Sequence, residues 1–464
     1  MTFDLVIVGS GPAGMQAARQ AADFGLKVAI IDEQHQAGGQ IYRNISKASA
    51  RQLDVLGPDY SAGQKLVDDL ADELITHITV ATVWKVQKTG LVYFTRNGKA
   101  DHVQGRHLLL ATGALERACP LPGWTRPGVM TVGAAQILMK SGGLVPNNAI
   151  LVGSGPLLYL MAVQMLAAGC KPKAMLETQS LSSLRSALPL LPKGFAGWSM
   201  LMKGASYLTK LQWAGVKRYK AVEEISLHGE EQDGANGIAK HVCFTHKGQR
   251  KKLKADIFLL HQGVVPNTQI SRSLGLTHDW QNDQVCFTPH IDEFGRTSCF
   301  NIHNAGDGAG IGGAYVAALE GALAVLDIAH DLGKIDQTER DAKAKSLFRK
   351  RRDALAARPF LDRLYAPPLG WRLPQDKTIV CRCEEVTAGD IRSYVALGCT
   401  GPNQTKAFGR SGMGPCQGRY CGLVVSDILA HETGQSQQEV GSYRIRAPIK
   451  PVTIAELASL DPGE

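Results

Sequence analysis

The sequence has no run of 18 apolar residues, and no basic flank with an apolar core precedes its first strand-like segment. Neither a transmembrane helix nor a secretory leader is therefore expected, and the chain reads as cytoplasmic, at most peripheral to a membrane through an electron acceptor. Aromatics are scarce, 6% of 464 residues. The two basic runs, 247–254 and 343–352, carry no aromatic ladder for stacking bases, so the net charge of +9 reads as solvated faces rather than a nucleic-acid surface. No catalytic triad, paired carboxylates or metal-hydrolase motif stands out, and no catalytic residue is assigned. No Cys-x-x-Cys or Cys-x4-Cys pair occurs before Cys381, which argues against a dithiol reductase. Cys119, Cys170, Cys243, Cys286 and Cys299 stand alone and read as packing residues. Ten cysteines in a cytoplasmic chain point to thiols, redox work or metal rather than disulfides.

Glycine, in contrast, is plentiful at 50 residues and concentrated in motifs. The apolar run 5–8 ends in Gly9-Ser-Gly11-Pro12-Ala13-Gly14, a helical pattern spans 15–24, and a second apolar run ends in Asp32-Glu33. The spacing G-x-G-x-x-G between strand and helix is that of a nucleotide cradle. Gly9 permits the tight turn, Gly11 admits backbone N–H groups to a pyrophosphate, and Gly14 lets helix and strand meet. Asp32 stands 23 residues after Gly9, where an acid accepts from ribose hydroxyls. Gly38-Gly39-Gln40 follows where a dinucleotide would extend toward its reactive ring.

Further on, 60–74 reads as helix, 78–86 and 91–95 as strands, and 108–111 as a buried strand breaking at Ala111-Thr112-Gly113. At Ala149 the opening pattern restarts: Gly-Ser-Gly-Pro recurs at 153–156, and Glu177 follows Gly153 by 24 residues. This internal repeat predicts a second nucleotide module with Gly153, Gly155 and Glu177 in equivalent places. Leu158 stands where a glycine or alanine is due, so occupation of the second site stays open. The stretch 179–219 is too irregular to assign, 242–253 reads as a hairpin, and strand 255–260 ends at Gly263. Gly306-Asp307 before the helical segment 314–326 is suited to ribityl hydroxyls, with the helix N-terminus toward phosphate, or to simple N-capping.

These motifs, in this order, resemble the two-dinucleotide-domain flavoproteins that include pyridine-nucleotide disulfide reductases. The expected fold class is α/β: tandem Rossmann-like domains, with residues 1–118 and 290–333 binding FAD and 119–289 forming an NAD(P)-binding-like domain. After a linker, 334–378, residues 379–464 hold Cys381-x-Cys383 and Cys416-x4-Cys421, 32 residues apart. Four thiolates suit zinc or an iron–sulfur cluster. The single residue between Cys381 and Cys383 is tight for zinc, and the glycines at 412, 414 and 418 free N–H groups for cluster sulfides, which favours the cluster.

Cys-Arg-Cys-Glu-Glu-Val with Gly-Met-Gly-Pro-Cys-Gln-Gly-Arg-x-Cys resembles the small α-rich 2Fe-2S domain related to bacterioferritin-associated ferredoxin. Behind tandem nucleotide modules, and with Ala111-Thr-Gly-Ala-Leu-Glu-Arg117, it resembles the alpha-type subunits of heteromeric amine dehydrogenases, the group of opine oxidases, D-hydroxyproline dehydrogenase and hydrogen cyanide synthase. That resemblance implies an electron-transfer subunit, with the amine oxidised at a flavin in a beta subunit, an optional small further subunit, and FMN at a subunit interface. It also allows NAD(P) or ATP in a nucleotide module. The rival expectation is a self-sufficient NAD(P)H reductase passing electrons from FAD to the cluster, and a third is a non-enzymatic scaffold.

Overall fold

The structure is a computed structural model that describes residues 2–230 and 237–460, without the side chains of Lys193, Phe195 and Ala196. Six residues of the expected second domain and the last four of the chain lie outside it.

The first module is built on a seven-stranded sheet. Its strands are β1 (Thr2–Val8), β2 (Val28–Ile31), β3 (Ile75–Ile78), β4 (Thr82–Val86), β5 (Leu91–Arg96) and β6 (Lys99–Leu110), in the order β3-β2-β1-β6-β5-β4. Strand Ile302–Asn304 adds in parallel beside β6. β1, β2 and the end of β6 are continuous apolar runs because both faces of a parallel sheet are covered. One cover is helix Pro12–Asp23, whose buried side is nearly all alanine and glycine. Small residues let it approach both the sheet and helix Ala314–Asp331: a Cβ at Gly321 would stand 2.2 Å from the Ala13 carbonyl oxygen.

The second module repeats the plan with a five-stranded sheet in the order Arg218–Tyr219, Ala174–Glu177, Ala149–Ser154, Ile257–Gln262, Val129–Thr131. A two-stranded antiparallel ribbon, Ala114–Glu116 with Val264–Pro266, joins the modules. Helix Val132–Gly142 follows the edge strand of the second sheet, capped by Thr131, whose Oγ1 accepts from Ala134 N–H at 3.2 Å.

Local departures have physical causes. The expected helix 60–74 is instead Pro58–Ser61 and Gly63–Asp68, followed by β3. Gly63 sits where a Cβ would come within 2.3 Å of the Tyr42 ring, so packing on that ring sets the break. The stretch 179–219 contains a 16-residue helix, Trp198–Trp213. Its exposed Trp198, Met202 and Trp213 blur the periodicity that betrays a helix. Residues 334–378 carry helices Gln337–Leu355, Arg358–Leu364 and Leu369–Arg372, and Trp371 is buried in the core of the second module.

The C-terminal segment is α-rich, with helices Ala388–Ala396, Pro402–Gly409 and Gly422–Thr433. The first starts at the capping signal read from sequence: Asp390 N–H donates to Thr387 Oγ1 at 3.2 Å and Thr387 N–H to Asp390 Oδ2 at 2.8 Å. Val83, Val92 and Phe94 of the first sheet share one apolar core with Val425, Ile428 and Tyr443, so the C-terminal segment is fused to the first module. No helix is long and apolar enough to cross a membrane among the described residues.

Candidate functional site: a shared cavity between glycine cradle and cysteine loops

Strand β1 delivers Gly9 in a left-handed conformation, φ +109°, against the start of the Ala111-Thr112-Gly113 turn. Any Cβ there would stand 2.3 Å from the Ala111 carbonyl oxygen, and one at Gly14 would stand 2.0 Å from the Gly9 carbonyl oxygen. Backbone fills these places, which leaves the N-terminus of helix Pro12–Asp23 open: no side chain caps it. Its orphan N–H groups and positive dipole end suit a pyrophosphate. Asp32 Oδ2 accepts from Ser10 N–H at 2.7 Å and Ser10 Oγ at 2.8 Å, and its Oδ1 accepts from Gln34 N–H at 2.8 Å. The acid is thereby fixed at the rim. Gly39 lies against Gly11, where a Cβ would meet the Gly11 Cα at 2.8 Å.

On the turn packed against Ala13 and Thr112, Asp307 Oδ1 accepts from the N–H groups of Gly312 (2.9 Å) and Gly313 (2.8 Å). The helix cap is Gly313 and not Asp307, so the aspartate shapes the loop and the helix end is again free of a side-chain cap. Gly9, Gly11, Pro12, Ala13, Asp32, Glu33, Gly39, Gln40, Ala111, Thr112, Gly113, Gly306 and Asp307 all line one cavity of about 2010 Å³.

Glu320, on helix Ala314–Asp331, accepts from Gly306 N–H at 2.9 Å. Burial raises its carboxyl from 4.5 to about 7, against the opposing pull of Arg351 and that N–H. A carboxyl raised in the folded chain keeps its proton while the unfolded chain loses it. The Glu320 contribution to stability is therefore greatest below about pH 4.5 and falls by about 3 kcal/mol as pH rises to 7. Glu320→Gln keeps the acceptor and removes the slope. In urea unfolding the variant gains on the parent between pH 5 and 8, and a constant difference across that range refutes the linkage.

The second cradle has the same design and different contents. Gly153 (φ +134°) packs on the His261 carbonyl oxygen, and Gly153, Ser154 and Gly155 are buried, whereas Gly9 and Gly11 are half-exposed. Glu177 is 1% exposed and already engaged: Arg218 Nη2 donates to its Oε2 at 2.9 Å, Arg218 Nε donates to its Oε1, and Tyr159 Oη stands 3.2 Å from Oε2. Tyr365, from the segment after helix Arg358–Leu364, packs its ring tilted against Tyr159, with centroids 6.2 Å apart. Leu158, the departure from the glycine rule, is fully buried.

The four C-terminal cysteines form two couples. Cys421 donates to Cys381, and the N–H groups of Gly412, Glu384 and Cys383 point at the same sulfur; together they push the Cys381 thiol down to about 6, against burial. Cys383 pairs with Cys416, and its thiol is raised by burial and by that neighbour. Gly414 lies where a Cβ would come within 2.2 Å of the Cys383 Cβ. All four cysteines, with Arg382 and Arg419, line the cavity that holds the first cradle. Among the described residues no three or more His, Cys, Asp or Glu side chains gather as a single metal ion requires.

Several wall residues had no local signal in the sequence. Lys450 pairs with Glu33, and Ile449 N–H donates to the Trp84 carbonyl at 2.9 Å, so the tail straps the acidic end of the first cradle. Glu116 Oε2 accepts from Gly133 N–H at 2.7 Å while its Oε1 pairs with His261 Nδ1 at 2.6 Å.

Two glycine cradles, each on the parallel strands of its own sheet and one open to a cavity, define a two-module dinucleotide-binding oxidoreductase. The pyridine nucleotide-disulphide oxidoreductase family profile matches residues 3–322, and the sarcosine oxidase A3 domain profile matches 375–460. More narrowly, the chain belongs to the family of opine oxidase A-subunits, the alpha subunits of FAD-linked amine dehydrogenases: it is 40% identical to the opine oxidase A-subunit of Rhizobium meliloti (strain 1021) over 99% of both chains. It is 31% identical to hydrogen cyanide synthase subunit HcnB of Pseudomonas protegens over 99% of this chain and 98% of that one. Among solved structures, L-proline dehydrogenase from P. horikoshii shares the fold with a TM-score of 0.70 at 20% identity, covering 98% of this chain and 79% of that one.

Proposed function

We propose that the chain is the electron-transferring alpha subunit of a heteromeric dehydrogenase that oxidises a secondary amine or D-amino acid, with the amine reacting at a flavin in a beta subunit. The observation that carries this reading is the shared cavity: the open cradle and both cysteine couples face one space. Its opine oxidase relatives give the substrate class and the existence of partner subunits.

FAD fits the first cradle, built from 1–118 and 290–333, and when bound there supplies reversible two-electron and one-electron exchange. The uncapped helix ends at Pro12 and Gly313 would hold its phosphates, Asp32 its ribose and Asp307 its ribityl chain. The strap at Lys450 would exclude water from the adenosine end. A 2Fe-2S cluster in 379–464 fits the cysteines as two couples, one for each iron, and the N–H groups converging on Cys381 suit sulfide. Arg382 and Arg419 would balance its charge.

The rival NAD(P)H reductase needs an open second cradle in 119–289. Glu177, held by Arg218 and closed over by Tyr365, argues against it. Purification from the native source tests the two readings together. The expected result is a co-purifying flavoprotein, stoichiometric flavin and iron, and bleaching by a secondary amine. A lone chain bleached rapidly by NAD(P)H overturns the proposal.

A further inference from the structure

In the same cavity, helix Val132–Gly142 brings Lys140 against the glycine loop of the first module. Lys140 is 3% exposed. Its Nζ donates to the Gln40 carbonyl oxygen at 3.0 Å and to Gln136 Oε1 at 2.9 Å. The side-chain oxygen of the same Gln40 accepts from Arg43 Nη2 at 3.0 Å, so two cations share one glutamine. Among the described residues no carboxylate pairs with either. Asp59 and Asp69, which line the same cavity, are bonded to Lys203 and Lys65. Burial and Arg43 push the Lys140 ammonium down to about 7.

Donors are also left over. Gln136 Nε2 donates to Gln164 Oε1 at 3.0 Å, and Gln164 Nε2 donates to the Leu56 carbonyl at 3.2 Å. Each amide nitrogen carries two hydrogens and uses one; the ammonium carries three and uses two in hydrogen bonds, with the Tyr60 ring centroid 5.9 Å from its nitrogen. Gln136 and Gln164, 9% and 4% exposed, line the cavity beside Leu157 and Leu160. A buried cation without a counter-ion, flanked by unused N–H groups and apolar walls, is a site that lacks its anion.

We propose that Lys140, Gln136 and Gln164 form a binding site for a small organic anion, a phosphate ester or a carboxylate, beside the glycine loop of the first cradle and distinct from its helix N-terminus. Lys140 supplies the charge, the two amides orient the anionic head, and Leu157 and Leu160 receive the apolar part.

The test is calorimetric titration of the FAD-saturated full chain with inorganic phosphate and with acetate. One or both probes bind, Lys140→Met weakens the binding at least about tenfold, and Lys140→Arg restores it. Preference for phosphate identifies a phosphate ester, and preference for acetate a carboxylate. A second readout needs no variant: trinitrobenzenesulfonate labels Lys140 in the parent chain, and the bound probe protects it, as read by peptide mass. Absence of binding to the FAD-saturated chain, or an affinity untouched by Lys140→Met, overturns the site.

Discussion

Cys381→Ser is expected to abolish the proposed iron–sulfur centre while the flavin stays bound. Iron and acid-labile sulfide should fall from about two of each per chain to traces, and the paramagnetic signal of the reduced protein should vanish. Cys381 is 1% exposed and receives three backbone N–H groups. A hydroxyl there is a poor ligand at a place shaped for a thiolate. Gly414→Ala should act nearly as strongly without touching a ligand, because its Cβ would collide with Cys383 at 2.2 Å and displace one couple. Loss of a bound centre also removes folding free energy, so both variants melt earlier. Full iron content in Cys381→Ser, or zinc in place of iron in the parent chain, would sink the cluster reading.

Gly9→Val should yield a chain without FAD. The φ of +109° costs a branched residue about 1–3 kcal/mol, and the Cβ meets the Ala111 carbonyl oxygen at 2.3 Å. Strand β1 or the Ala111-Thr112-Gly113 turn must move, and either shift spoils the cradle. Flavin affinity should drop at least about a hundredfold, or about 2.7 kcal/mol. Gly25→Ala is the control. It also has positive φ, +67°, but nothing lies within 4 Å of its Cβ, so it should lower stability and leave flavin content unchanged. Equal flavin in Gly9→Val and the parent would remove the first cradle as the FAD site.

Much of the fold was legible because its signals are short-range. Continuous apolar strands, glycines at fixed offsets and a terminal acid occupy one stretch of about thirty residues in each module, and Thr387 with Asp390 announced a helix start. Elsewhere local cues failed for identifiable reasons. Pro189, Pro192 and Gly194 hid the helix Trp198–Trp213 that follows them, and contact with Tyr42 broke the helix expected over 60–74 at Gly63.

The sequence by itself determined the two cradles, the acids that end their second strands and the four cysteines, since each follows from residue type and spacing. Only the tertiary structure decided what those motifs face. Arg218 and Tyr365 close the second cradle, Lys450 reaches Glu33 across 417 positions, and Lys140 meets Gln40 across 100. Such contacts arise when separately formed layers pack, and a side chain that becomes a counter-ion through packing leaves no periodicity or spacing in the chain around it.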